Sequence, residues 1–200
     1  MGAVLVRGYS MIFRLTQALN ARVKVGALEA LPRHENPLLD WSAHLFPVGR
    51  SIFILVSNTA SLLSAVVSGK GVTNVTSFRD RAFDGIRACL TALGHESLTR
   101  TLVADDGPVR FAKVLNRSVS GSMNELVKCA EFCMSEGELT LSEVGDRLND
   151  TLLSALAAGG SHGYGKPREA FRVMVGGAMP HVPRSEVAGR HHGHEQPPPG

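Results

Sequence analysis

Aromatic residues make up only 6% of this 200-residue chain, with a single tryptophan at position 41. Cysteine is scarce too. Cys89, Cys129 and Cys133 form an odd set without paired spacing, which argues against a disulfide framework and for a reducing compartment. No stretch approaches the roughly 20 consecutive apolar residues a membrane-spanning helix needs. Residues 1–10 carry one Arg and a short apolar patch, too little for a secretory signal. These features point to a cytoplasmic location with no membrane association. Charge of one sign is also lacking: the formal net charge is +3, and acidic residues are interspersed with basic ones through the middle. No clustered basic stripe of a dedicated nucleic-acid binder stands out, although nucleic acid is not excluded as a partner.

What the chain does contain is a hydrophobic fraction of 44% against 20% charged residues, ordinary for a globular domain with a proper core. Residues 1–10 read as an N-terminal extension and 11–176 as one globular domain. Residues 177–200, rich in Gly, Pro and His, read as a disordered tail, because that composition cannot build a core. Its Arg190-His191-His192-Gly193-His194-Glu195 run is expected to hold no specific metal site.

Residues 12–16 and 22–25 are predicted as short strands around a polar turn at Asn20, followed by loop over 29–40. Ser42–Val48, Gly49-Arg50 and Ser51–Val56 carry a two-residue hairpin signal, and Ser61–Val67 extends it into an antiparallel meander. The period then becomes helical over Ser77–Leu93, with Phe78, Ala82, Ile86, Cys89 and Leu90 on one stripe. A strand is predicted over 99–104, a turn at 105–108 and a strand over Val109–Leu115. Helices follow over 123–134, with Ser122 and Glu125 as a capping box, and over 141–156, with Thr140 and Glu143 as another. A fourth, short helix runs from Pro167 to Val173. The fold class is therefore α+β: a small, mostly antiparallel sheet with three to four helices packed on one face.

The chain resembles an uncharacterised bacterial domain family of unknown function over about residues 11–175. The resemblance rests on Met11-Ile12-Phe13-Arg14-Leu15-Thr16-Gln17, on Asn36-Pro37-Leu38-Leu39-Asp40-Trp41-Ser42-Ala43-His44 and on Asn58-Thr59-Ala60-Ser61-Leu62. Asn116-Arg117-Ser118-Val119, Gly121-Ser122-Met123-Asn124, Arg147-Leu148-Asn149-Asp150-Thr151 and Pro167-Arg168-Glu169-Ala170-Phe171 continue it. It implies a compact cytosolic domain and assigns no activity.

Three places carry candidate chemistry. In Asn116–Glu125 a strand opens into a helix. Arg117, the hydroxyls of Ser118, Ser120 and Ser122, Asn116 and free first-turn N–H groups together suggest an anion site. The bland alternative is a capped helix with Arg117 in a surface ion pair. The second place is Asp40, Trp41 and His44, where His44 is a candidate general base oriented by Asp40. The bland alternative there is structural packing around Trp41. Lys70, between Gly69 and Gly71, is a loop cation or a solubilised turn. Cys129 and Cys133 share a helix face but lack the further ligands of a structural zinc site, so no metal is expected. No phosphate-binding Gly-Lys loop, serine-nucleophile elbow or zinc-protease motif is present, and no cofactor is implied. The leading reading is a binding or regulatory module for an anionic small molecule or a protein partner. The alternative is a small enzyme acting on a phosphate-containing substrate such as RNA or a nucleotide, with His44 as base and Arg117 as electrostatic stabiliser.

Overall fold

The computed structural model describes residues 10–102, 108–159 and 165–178. Strand β1, Met11–Leu15, is buried at all five positions. Phe13 and Leu15 point to one core and Arg14 to the opposite side, so this strand is covered on both faces. It lies inside a five-stranded sheet of order β4-β3-β2-β1-β5, next to the edge strand β5. The other members are β2 (Asp40–Val48), β3 (Ser51–Asn58), β4 (Ser64–Ser68) and β5 (Val109–Lys113). The meander β2-β3-β4 is antiparallel as the turn signals predict, but β1 pairs in parallel with both β2 and β5. The sheet is thus mixed rather than mostly antiparallel.

Parallel pairing explains the first correction. Adjacent parallel strands need a crossover, not a tight turn. The region expected to hold a second strand at 22–25 is instead helix α1, Gln17–Val23, which buries Leu19 and Val23 one turn apart. Its end is set by Lys24 in the left-handed region. The expected strand at 99–104 is likewise a short helix, α3 (Glu96–Leu102), with Leu98 and Leu102 buried at the same spacing. The expected turn at 105–108 lies outside the described residues up to position 107.

Helix α2, Val75–Ala92, starts before Ser77: Asn74 is its cap and Ser77 completes the box from inside the first turn. Helix α4 spans Arg117–Ser135, and α5 runs from Leu141 to Asn149 behind the predicted Thr140–Glu143 box. The chain leaves α5 at Asp150, pairs Leu153 with Gly165 and forms a short 3-10 segment, Ser154–Gly159, so the expected helix over 141–156 is halved. Helix α6, Pro167–Ala178, is longer than predicted. Among the described residues there are six α-helices and two 3-10 segments, the other being Pro37–Leu39, against the three to four helices expected.

The helices cover both faces of the sheet rather than one. One core joins Phe13, Trp41 and Val56 to α1, α2 and α6, with Phe13 and Phe78 in edge contact at 5.3 Å. The other joins Phe46, Leu55 and Val66 to α4 and α5. Helices α2 and α5 therefore flank the edge strand β4 from opposite sides. Each carries a glycine beside it, Gly85 and Gly145, of which Gly85 sets how closely α2 approaches. A Cβ on Gly85 would sit 2.4 Å from Val67 Cγ1, whereas one on Gly145 would meet nothing nearer than 3.6 Å.

These contacts set opposite expectations for the two alanine substitutions. Gly85→Ala collides with a stiff β-branched side chain, and overpacking of about 1–3 kcal/mol outweighs a helix-propensity gain of roughly 1 kcal/mol. Gly145→Ala keeps the propensity gain and has no collision. Urea denaturation should show a lower midpoint for Gly85→Ala and an unchanged or higher one for Gly145→Ala.

Candidate functional site

Arg14 is the largest charged side chain in the interior, fully buried within an otherwise apolar strand. Its guanidinium donates two bonds to Asp40, Nε to Oδ1 and Nη2 to Oδ2, each 2.7 Å. The remaining donors reach the carbonyls of Leu31 at 2.9 Å and Pro32 at 2.6 Å, with a longer contact to Lys113 at 3.5 Å. Asp40 also accepts from the His34 N–H. Burial raises the Asp40 carboxyl, but the bonds from Arg14, His34 and Thr59 outweigh it and hold the group below its usual 3.8. Every strong donor and acceptor of the pair is satisfied, so it is a structural clamp. Sequence reasoning gave Asp40 to His44 and passed over Arg14. The available signal was a charged residue inside a strand with no exposed face.

His44 sits on β2 four positions after Asp40, about 13 Å along the strand. It is half-buried, and the charge that reaches it is Glu131 on α4. Desolvation lowers the imidazole below its usual 6.5, and Glu131 partly opposes that shift. Arg117 and Glu131 are separated by about 21 Å along α4 at roughly 1.5 Å per residue. The base and the cation nominated together are therefore near opposite ends of one helix. Trp41 meets its bland expectation: it is fully buried, and its indole N–H donates to the Leu38 carbonyl at 2.8 Å.

The Asn116–Glu125 segment begins its helix six residues earlier than predicted. Asn116 is the cap, its Oδ1 accepting from Val119 N–H at 3.0 Å. Ser122 therefore lies inside α4, and the expected Ser122–Glu125 box is absent. The Ser122 hydroxyl donates back to the Ser118 carbonyl, and the Ser120 hydroxyl to the Asn116 carbonyl. Asn116, Arg117 and Ser118 are exposed, and the Arg117 guanidinium has no partner among the described residues.

A recess with a cavity volume of about 260 Å³ lies elsewhere, at the outer edge of β4. Its floor is Ser64–Ser68, one wall is the Gly85–Ala92 part of α2, and the other is α5 around Gly145. At one end Asn149 closes it. The Asn149 amide accepts from Ser64 N–H at 2.7 Å and donates to Ser64 O at 2.9 Å, imitating a neighbouring strand. Cys89 lies beside it, with its thiol donating to the same carbonyl at 3.6 Å. Burial pushes that thiol up to about 12, so it is inert as a nucleophile near neutrality. Sequence reasoning missed this recess. Its only trace was small residues at helical spacing, Gly85, Ala88, Cys89 and Ala92, on a helix otherwise read as core-facing.

Among the described residues no cluster of three His, Cys, Asp or Glu residues is arranged to hold a metal, and no helix is long and apolar enough to cross a membrane. Cys129 and Cys133 are free thiols on α4, Cys133 buried. Lys70 is exposed in the turn after β4, its N–H donating to the Ser68 hydroxyl. The histidines of 190–195 lie outside the described residues.

A mixed five-stranded sheet with helices on both faces and a recess along one edge strand defines an α+β domain. Residues 12–170 match the model of a domain of unknown function (DUF6933), and the chain belongs to that family. No curated protein and no solved structure gives a significant match.

Two measurements check the electrostatics. The folded Asp40 carboxyl titrates below its unfolded value, so its contribution is full above about pH 4 and vanishes as pH falls through the lower, folded value. Asp40→Asn strands the buried guanidinium. Equilibrium unfolding should show a loss of about 3–5 kcal/mol at neutral pH and a flatter acid limb. For His44, neutrality is favoured in the folded state, so its protonation opposes folding as pH falls below 6.5. An NMR titration of Glu131→Gln should move the His44 midpoint further down, since the one opposing charge is removed.

Proposed function

We propose that this domain is a binding or regulatory module whose ligand occupies the recess between α2 and α5, not a catalyst. The observation that carries this reading is the cavity itself. It is open, largely apolar and floored by an edge strand, and the thiol on its wall, Cys89, is held protonated. The enzymatic alternative, with His44 as base and Arg117 as stabiliser of a phosphate-containing substrate, draws no support from groups so far apart. The start of α4 fits a secondary contact for an anionic group, made by Arg117 and the first-turn N–H groups. The hydroxyls of Ser120 and Ser122 are already engaged inside the helix and contribute little to it.

Residues 11–176 are taken as the binding unit, with 1–10 and 177–200 as appendages, in keeping with a family match over 12–170. The three free thiols favour a cytoplasmic setting. No cofactor takes part in this reading.

Screening a small-molecule fragment collection by ¹H–¹⁵N NMR tests it. Shifts should cluster on residues 64–68, 85–92 and 141–149. Clustering confined to His44 or to the start of α4, with nothing along the recess, would remove the basis for the reading.

A further inference from the structure

We infer that the recess takes a short extended peptide segment that adds to β4 as a further strand, with small side chains along its length and one Asp or Glu side chain meeting Arg81. This rests on the reading that the recess is the binding site, and it specifies the ligand.

The ladder of β4 shows why. Asn58 N–H donates to the Leu63 carbonyl and Gly69 N–H donates to the Ile52 carbonyl, both at 2.8 Å. In an antiparallel pair alternate residues face the partner strand, so Leu63, Ala65, Val67 and Gly69 are committed to β3. Ser64, Val66 and Ser68 consequently turn their N–H and C=O groups outward, into the recess. Ser64 is satisfied by Asn149. The N–H and C=O of Val66 have no partner among the described residues, and the residue as a whole is only 5% exposed. A donor and an acceptor aimed outward, one ladder step beyond a side-chain amide already acting as a strand, call for the peptide groups of an added chain.

The walls decide what kind of chain fits. Beside the edge strand stand Gly85 and Ala88 on α2 and Gly145 on α5, which leave room for small side chains only. Because both helices flank β4, its edge is recessed, and the edge strand of a second folded copy cannot reach it. A free extended segment can. Along α2, Cys89 bonds the Ser64 carbonyl and Gly85 packs on Val67, so Arg81, one turn further, marks the Ser68 end. Arg81 is half-buried and has no ion-pair or hydrogen-bond partner among the described residues. It stands on the wall, off the ladder, where a carboxylate side chain rather than the bound main chain reaches it. Asp146 on the opposite wall is already paired with Arg168, at 3.6 Å.

The test uses the full chain and displayed random heptapeptides, with enriched sequences resynthesised and their affinity read by fluorescence anisotropy. Expected are small residues around one Asp or Glu, slowed amide exchange at Val66 and Ser68, and a period-two response to N-methylation along the peptide. Gly145→Ala, whose methyl would lie 3.9 Å from Val66 N, should weaken binding at least tenfold without lowering the melting temperature. Arg81→Ala should weaken the acidic peptides and leave peptides with Asn or Gln at that position unaffected. No enrichment, insensitivity to N-methylation, or shifts away from residues 64–68 would overturn the inference. If small-molecule fragments bind the recess while peptides do not, the peptide inference alone fails. If neither binds, the recess is not the binding site and both fall.

Discussion

The buried pair of Arg14 and Asp40 is the constraint on which the centre of this fold depends. A guanidinium in the interior is tolerable only if its donors are filled, and here five contacts fill them from three separate parts of the chain. The carboxylate comes from β2, two carbonyls come from the crossover before it, and a third comes from β5. The pair thereby ties both parallel neighbours to β1 and fixes the register in which Ile12 stands beside Asp40. Slipping that register by one residue would turn Trp41 and Ala43 out of their core. The side on which His44 emerges, facing α4, follows from the same constraint.

The two edges of the sheet are managed differently. Beyond β5, the crossover passes close enough for Lys113 N–H to donate to Glu29 O, and Glu29 bridges Ala112 in parallel. Beyond β4, one side-chain amide stands in for a strand at a single residue, and two helices shelter what remains. Sheltering needs close approach on the α2 side, which is why Gly85 occurs within α2 where helix propensity alone disfavours it. An exposed edge of this kind invites uncontrolled pairing. Recessing it keeps out folded neighbours and leaves access for a narrow extended chain.

Much of the local structure was legible. The turn chemistry of Gly49-Arg50 marked the β2–β3 hairpin, the stripe of Phe78, Ala82, Ile86 and Leu90 marked α2, and Thr140 with Glu143 marked the start of α5. Misread segments were short and apolar, where strand and helix patterns overlap: α1 and α3 each bury two residues one turn apart. At the start of α4, Ser122 and Glu125 satisfied the spacing of a capping box, but Asn116 already supplied a cap six residues earlier. Once the helix had begun there, both serine hydroxyls had backbone carbonyls four residues back to bond. The strand-to-helix junction was therefore legible, but the start of its helix and the roles of its hydroxyls were not.

By itself the sequence determined the α+β class, the antiparallel meander and the apolar faces of the long helices, because turn residues and periodicity act over a few neighbouring positions. Tertiary structure alone decided that β1 is parallel to both its neighbours, that Asp40 serves Arg14 and not His44, and that the recess opens beside β4. Each of those depends on residues distant in the chain, such as Ser64 and Asn149, whose meeting leaves no periodic trace in either segment. A ladder position facing outward is a property of the partner strand as much as of its own residue. That is why Val66, an unremarkable valine in the sequence, carries the open hydrogen-bonding groups at the candidate site.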